Sequence, residues 1–120
     1  DADKEFIKLT GNVEKMKMLL RVLVDGDPER LSDMEIENTL YDYKGNNPEK
    51  FLKYCLDDNL EVQAEIEEMV AKDVLRRIGN QVIFQDETIG EDMKDAIVYF
   101  KNKKNSGQVN TMRARLKEVS

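Results

Sequence analysis

The sequence predicts a mainly α-helical small domain carrying one β-hairpin, and three features of residues 59–100 lead to that reading. Val62, Ile66, Met69 and Val70 recur at helical spacing, with Glu61, Glu65, Glu67, Glu68 and Lys72 filling the other side. Gly79-Asn80 then separates two short runs, Arg76-Arg77-Ile78 and Gln81-Val82-Ile83-Phe84-Gln85. Both turn residues tolerate positive φ, so the pair reads as a hairpin. Beyond a second turn at Asp86-Glu87 and the run Thr88-Ile89-Gly90, Met93, Ala96, Ile97 and Phe100 restore the helical period. The order is helix, hairpin, helix.

The elements that lead up to this stretch are short helices. Phe6, Ile7 and Leu9 suit one or two turns that Gly11-Asn12 ends. Asn12 is placed as an N-cap, with Glu14 in the first turn to suit the helix dipole. Val13, Met16, Leu19, Leu20, Leu23 and Val24 then define a strongly apolar helix, closed by the turn Asp25-Gly26-Asp27-Pro28. Ser32-Asp33-Met34-Glu35 is a capping box, with Leu31 and Ile36 as the hydrophobic staple. Its helix carries Ile36, Leu40, Tyr41 and Tyr43 and stops at Gly45-Asn46-Asn47. Pro48 at the first helical position starts another, with Phe51, Leu52, Cys55 and Leu56 directed inward. The following helix starts at Asp58 or Asn59 and is expected to run out near Val74-Leu75. After the polar break at residues 102–107, a last helix over 107–119 carries Val109, Met112, Leu116 and Val119 on one side.

At 120 residues the chain is read as a single domain, 1–120, long enough to bury a core without staples. Within it, 1–31 forms an N-terminal helical part, 32–100 the helices plus hairpin, and 107–119 the C-terminal helix. The first residue is Asp1 rather than Met, which is expected of a processed product, a trimmed chain or the ordered part of a longer one. No apolar run reaches the roughly 20 residues of a membrane span, and no signal peptide is visible. A cytoplasmic or virion location follows as the expectation. Cys55 is the only cysteine, which excludes an internal disulfide; among Phe51, Leu52 and Leu56 it reads as a small buried hydrophobe.

Several chemistries are excluded by composition. With no histidine there is no imidazole acid-base pair, triad or metal ligand, and one cysteine cannot build a structural zinc site. Glycine-rich phosphate loops are absent. Asp25, Asp27 and Glu29 alternate like the first ligands of a calcium loop. However, the sixth position is Arg30 where glycine is needed, and the twelfth is Ile36 where glutamate is needed. Glu61, Glu65 and Glu68 line one side of a helix without a partner carboxylate set. No catalytic, cofactor-binding or metal residue is assigned, no cofactor is expected, and the chain is read as non-enzymatic.

Charge is unevenly spread within a formal net −6. Residues 1–75 carry 10 basic and 19 acidic groups, whereas 91–120 carry seven basic and four acidic. An acidic part and a basic helix suit a protein partner or head-to-tail self-association. The contact residues this suggests are Arg76, Arg77, Lys101, Lys103, Lys104, Arg113, Arg115 and Lys117, for a partner or for nucleic acid.

Two resemblances bear on that choice. Three short helices (32–44, 48–57 and 59–75) followed by a hairpin resemble the order of elements in winged-helix domains, over residues 32–90. That resemblance implies a nucleic-acid-binding regulator whose third helix enters the major groove and whose hairpin is the wing. The helix in question carries Glu61, Glu65, Glu67, Glu68 and Asp73 against Lys72, a charge that DNA would repel. A winged-helix-like domain with this surface is expected to bind protein. The run Val74-Leu75-Arg76-Arg77-Ile78-Gly79-Asn80, with Ile89-Gly90 and Ala96-Ile97-Val98-Tyr99-Phe100, resembles small accessory proteins of tailed bacteriophages. It covers about a third of the chain and implies a virus-encoded component of no particular activity. The reading is therefore an interaction or structural module in a larger assembly, a phage particle or phage transcription or replication machinery, with the winged-helix regulator as the alternative.

Overall fold

The computed structural model describes residues 1–120, which form seven α-helices and one three-stranded antiparallel sheet. The mainly helical class read from the sequence is what the chain adopts. Contacts divide it into two compact units, residues 1–64 and 65–120, with the boundary inside the fifth helix. That boundary lies within the 32–100 segment grouped together from the sequence.

The first unit is built from capped helices. Asp1 accepts a hydrogen bond from the Lys4 amide at 2.9 Å and starts α1 (Ala2–Leu9), and Asn12 accepts from the Lys15 amide at 3.1 Å to start α2 (Val13–Leu19). From Leu20 to Val24 the α2 chain widens into a π-helical turn. It stops at Asp25, whose φ of 53° is left-handed. The sequence pattern reads 13–24 as one uniform helix; the wider turn is the difference. A 3-10 turn over Pro28–Arg30 follows. The Ser32 hydroxyl then accepts from the Glu35 amide at 3.1 Å to open α3 (Asp33–Asn46), and Pro48 opens α4 (Pro48–Cys55).

The core of this unit joins Phe6 and Leu9 of α1, Met16, Leu19 and Leu20 of α2 and its extension, Ile36 and Leu40 of α3, and Phe51 and Cys55 of α4, with Leu60. Tyr41 and Leu56, read as core positions, are instead 56% and 61% exposed. For Leu56 the reason is local: α4 ends at Cys55, so Leu56 caps the helix and its side chain leaves the buried stripe. Tyr41 lies edge-on to Phe6, ring centres 5.5 Å apart, and covers its rim.

α5 (Leu60–Ala71) ends three to four residues before the expected stop. Asp73 takes a left-handed φ of 63°, which lets the Val74 amide donate to the Met69 carbonyl at 2.9 Å and the Asp73 amide to the Val70 carbonyl at 3.2 Å. These two bonds define a Schellman C-cap, with aspartate standing where glycine is usual.

In the second unit β1 (Arg76–Ile78) pairs with β2 (Gln81–Phe84) across the two-residue loop Gly79-Asn80. Ile78 stands opposite Gln81, and Gly79 has a φ of +60°. The sheet then differs from the simple hairpin expected, because Glu87–Gly90 forms a third strand, β3, beside β2. The connecting loop is Gln85-Asp86, one residue earlier than the sequence suggests, since Phe84 stands opposite Glu87. Val82 pairs with Gly90 and Ile83 with Thr88, which leaves Ile89 as an extra residue, a β-bulge. The bulge explains why adjacent residues Ile89 and Gly90 are both buried.

α6 (Met93–Lys101) lies against β3 and β2, its start capped by Asp92 accepting from the Asp95 amide at 2.8 Å. Gly90 is required at that contact. A Cβ there would stand 2.5 Å from the Ala96 nitrogen and 2.8 Å from the Asp92 oxygen. A 3-10 turn over Lys103–Asn105 leads into α7 (Ser106–Val119), which buries Val109 and Met112. Val119, read on the same side as these, is exposed at the helix end.

Candidate interaction surface

The basic residues picked out from the sequence divide into two groups. The four arginines of the second unit are engaged within it. Arg113 on α7 donates from Nε and Nη2 to the two carboxylate oxygens of Glu65 on α5, at 2.8 and 2.9 Å. Arg77 on β1 donates to Glu67 of α5 at 2.6 Å, and the Glu67 side chain is only 10% exposed. Both are charge-neutralised pairs, the first a two-point fork and the second a single bond, and they hold α7 and the sheet to α5. They also account for the acidic α5 surface seen in the sequence: Glu65 and Glu67 face arginines, and Glu68 lies 3.8 Å from Lys72.

Arg76 and Arg115 converge elsewhere. The Arg76 guanidinium donates to the backbone carbonyl of Gln85 at 3.0 Å. Turned so that its oxygen faces Arg115, the Gln85 amide accepts from both terminal nitrogens of that guanidinium, at 2.8 and 2.9 Å. Arg115 also sits 5.1 Å above the centre of the Phe84 ring. Gln85 itself holds a left-handed φ of 56°, uncommon for a residue with a Cβ. The sequence gives Gln85 no distinction; only the positive φ and the two arginines mark it.

The lysines are arranged differently. Lys101 ends α6, Lys103 and Lys104 occupy the 3-10 turn, and Lys117 lies in the last turn of α7; all four are exposed. The turn is held by backbone and amide bonds: Asn102 Oδ1 accepts from the Lys104 amide at 3.0 Å, and Asn105 Nδ2 donates to the Tyr99 carbonyl at 3.1 Å. The Tyr99 hydroxyl is pushed above its ordinary pKa, first by burial and then by the charge of Glu87.

In the first unit Lys44 makes a short ion pair while packed over two aromatic rings. Its ammonium sits 2.7 Å from Asp3 Oδ1, 4.4 Å from the Tyr41 ring centre and 5.2 Å from that of Phe6, while its side chain is 12% exposed. The hydrogen bond and charge of Lys44 hold the Asp3 carboxyl below the usual carboxylate range. An open hollow of about 430 Å³ beside this clamp is lined by Asp1, Asp3, Lys44 and Pro48. A second of about 270 Å³ is lined by residues that include Met18, Leu60, Lys15, Asp57, Asp58 and Glu61. The Cys55 thiol is raised to about 11 by burial in the core. The Asp25-Asp27-Glu29 trio serves the turn: Asp27 accepts from the Glu29 amide at 3.0 Å and pairs with Arg30 at 3.5 Å. Nowhere do three or more cysteine or carboxylate side chains gather to hold a metal, and no helix is long and apolar enough to cross a membrane.

Compared with family models, curated proteins and solved structures, the chain matches none of them.

Proposed function

We propose that the protein is a non-enzymatic interaction module that docks onto protein partners in a larger assembly, such as a tailed-phage particle or phage transcription or replication machinery. The observation that carries this reading is the set of large apolar side chains left outside otherwise charged helices. In the first unit Met34, Ile7 and Leu56 are 72%, 69% and 61% exposed, and Tyr41 stands beside the Lys44 clamp. Val98 and Ile78 are similarly exposed in the second unit. Apolar anchors beside charges are the composition that protein interfaces use. The acidic balance of residues 1–64, 15 acidic groups against nine basic, adds long-range attraction for a basic partner.

The test is a pull-down from host or virion lysate, with and without nuclease, using the chain and a Met34→Glu, Leu56→Glu variant. Capture of a defined protein that survives nuclease and is lost in the variant supports the module. Recovery that depends on nucleic acid favours the winged-helix regulator instead.

A further inference from the structure

We infer that the Gln85 turn is a docking point for an acidic segment of a protein partner, gripped by Arg76 and Arg115. The inference rests on the interaction-module reading and supplies the chemistry of one contact.

Charge pairing separates the four arginines. Two of the four arginines in the second unit are neutralised by glutamates, Arg77 by Glu67 and Arg113 by Glu65. The other two find only neutral acceptors, and both find them on one residue, through its carbonyl and its side-chain amide. A guanidinium offers five N–H donors; Arg76 uses one on Gln85, and Arg115 uses two. Both side chains are exposed, as is Gln85, so the remaining donors open to the surface. Residues 65–120 carry ten acidic and ten basic groups, so what marks the turn is two guanidiniums whose acceptors are neutral, in a unit whose other two arginines face carboxylates.

The surroundings select a peptide carboxylate over a polyphosphate. Asp86 and Glu87 follow directly in the turn and strand, and a continuous phosphate backbone would run across them. A single aspartate or glutamate side chain requires only the fork of one guanidinium, such as the pair of Arg115 nitrogens now on the Gln85 amide. Apolar contact is available beside it. Ile78, two residues from Arg76 and so on the same strand face, is 55% exposed. The segment recognised is therefore a carboxylate with an apolar neighbour. Gln85 occupies the place of that carboxylate as a neutral stand-in, in a left-handed conformation that costs about 1 kcal/mol.

The experiment is an NMR titration of the intact chain, reading the arginine Nε–Hε signals, with a short end-blocked peptide carrying one glutamate between two leucines, inorganic phosphate and a short single-stranded oligonucleotide as separate probes. The single-glutamate peptide is expected to shift Arg76 and Arg115 and to leave Arg77 and Arg113 in place. Arg115→Gln and Arg76→Gln should each weaken that binding by roughly tenfold. Gln85→Glu supplies the carboxylate from inside, so it should raise the melting temperature and abolish binding. Its melting temperature also shows whether the turn stays folded. The peptide without effect, unchanged binding by Gln85→Glu, or tighter binding of phosphate or the oligonucleotide through the same arginines would overturn the inference. Because the probe is a defined peptide, this result is independent of whether any lysate protein is captured.

Discussion

Arg113 and Glu65, 48 residues apart, meet in a two-point ion pair with both N···O distances below 3.0 Å. The arginine belongs to the last helix and the glutamate to the helix that precedes the sheet, so the pair closes the second unit around its strands. Its partners are 48% and 24% exposed, and solvent screens much of the Coulomb attraction. Arg113→Ala should therefore cost about 1 kcal/mol in urea unfolding. A double-mutant cycle with Glu65→Ala should return a coupling of about 0.5–1 kcal/mol. A coupling near zero would mean that the geometry has no energetic consequence.

Gly90 and Gly45 should respond in opposite directions to the same substitution. At Gly90 a methyl group would strike the backbone of α6, whereas at Gly45, inside α3, nothing lies within 4 Å. Gly90→Ala is expected to destabilise by about 3 kcal/mol, the overpacking range. Gly45→Ala should stabilise by up to about 1 kcal/mol through helix propensity and a less flexible unfolded chain. Thermal melts of the two variants side by side decide the matter.

Asp73 closes α5 in a conformation glycine adopts without steric cost. Asp73→Gly should raise stability by about 1 kcal/mol, since the left-handed φ is retained and the Cβ clash removed. An unchanged or lowered melting temperature would show that the aspartate side chain contributes something the backbone bonds do not account for.

The sequence was informative where a few neighbouring residues decide the structure. Capping by Asn12 and Ser32, the start at Pro48 and the turn at Gly79 were legible because each is set by a residue and its next three neighbours. The stop of α5 was not. Val74 and Leu75 continue the apolar pattern, and only a backbone flip at Asp73, a residue type that tolerates it less well than glycine, ends the helix. β3 was hidden for a related reason. Four residues, Glu87-Thr88-Ile89-Gly90, interrupted by a bulge, present no clean alternation. For the basic residues the obstacle was distance. Nothing in the local spacing of Arg77 or Arg113 reveals a glutamate ten or 48 residues away, so arginines that hold α5 looked the same as the exposed lysines.

Cys55 should be inert in the folded chain. With its pKa at about 11 against an ordinary value of 9.0, the thiolate fraction at pH 8 is lowered about a hundredfold. Burial slows a reagent further. Labelling by a thiol-specific disulfide reagent should be slow natively and fast in denaturant. Linkage gives a second readout. A raised acid pKa contributes stability that is whole below pH 9.0 and is lost as pH rises toward about 11, because the unfolded thiol ionises first. Cys55→Ala should flatten that alkaline decline.

Asp3 behaves in the opposite sense. Its pKa is lowered by Lys44, so the clamp is intact above the ordinary carboxylate value of 3.8 and is lost as pH falls through the depressed value of the folded chain. Asp3→Asn should reduce the acid-side slope of melting temperature against pH and leave the neutral-to-alkaline side unchanged. An equal slope in both proteins would place the acid sensitivity elsewhere.

The extra residue at Ile89 has a bearing on how the chain behaves when crowded. A flat strand with free amides and carbonyls along its margin invites a neighbouring molecule to add a further strand, and repetition of that step gives fibrils. Here one margin, β1, is three residues long and carries two arginines, and the other, β3, is kinked by its bulge. Neither offers a straight ladder on which a second sheet could grow. Deleting Ile89 would restore regular pairing along β3, and with it a template for polymerisation that the native chain denies its neighbours.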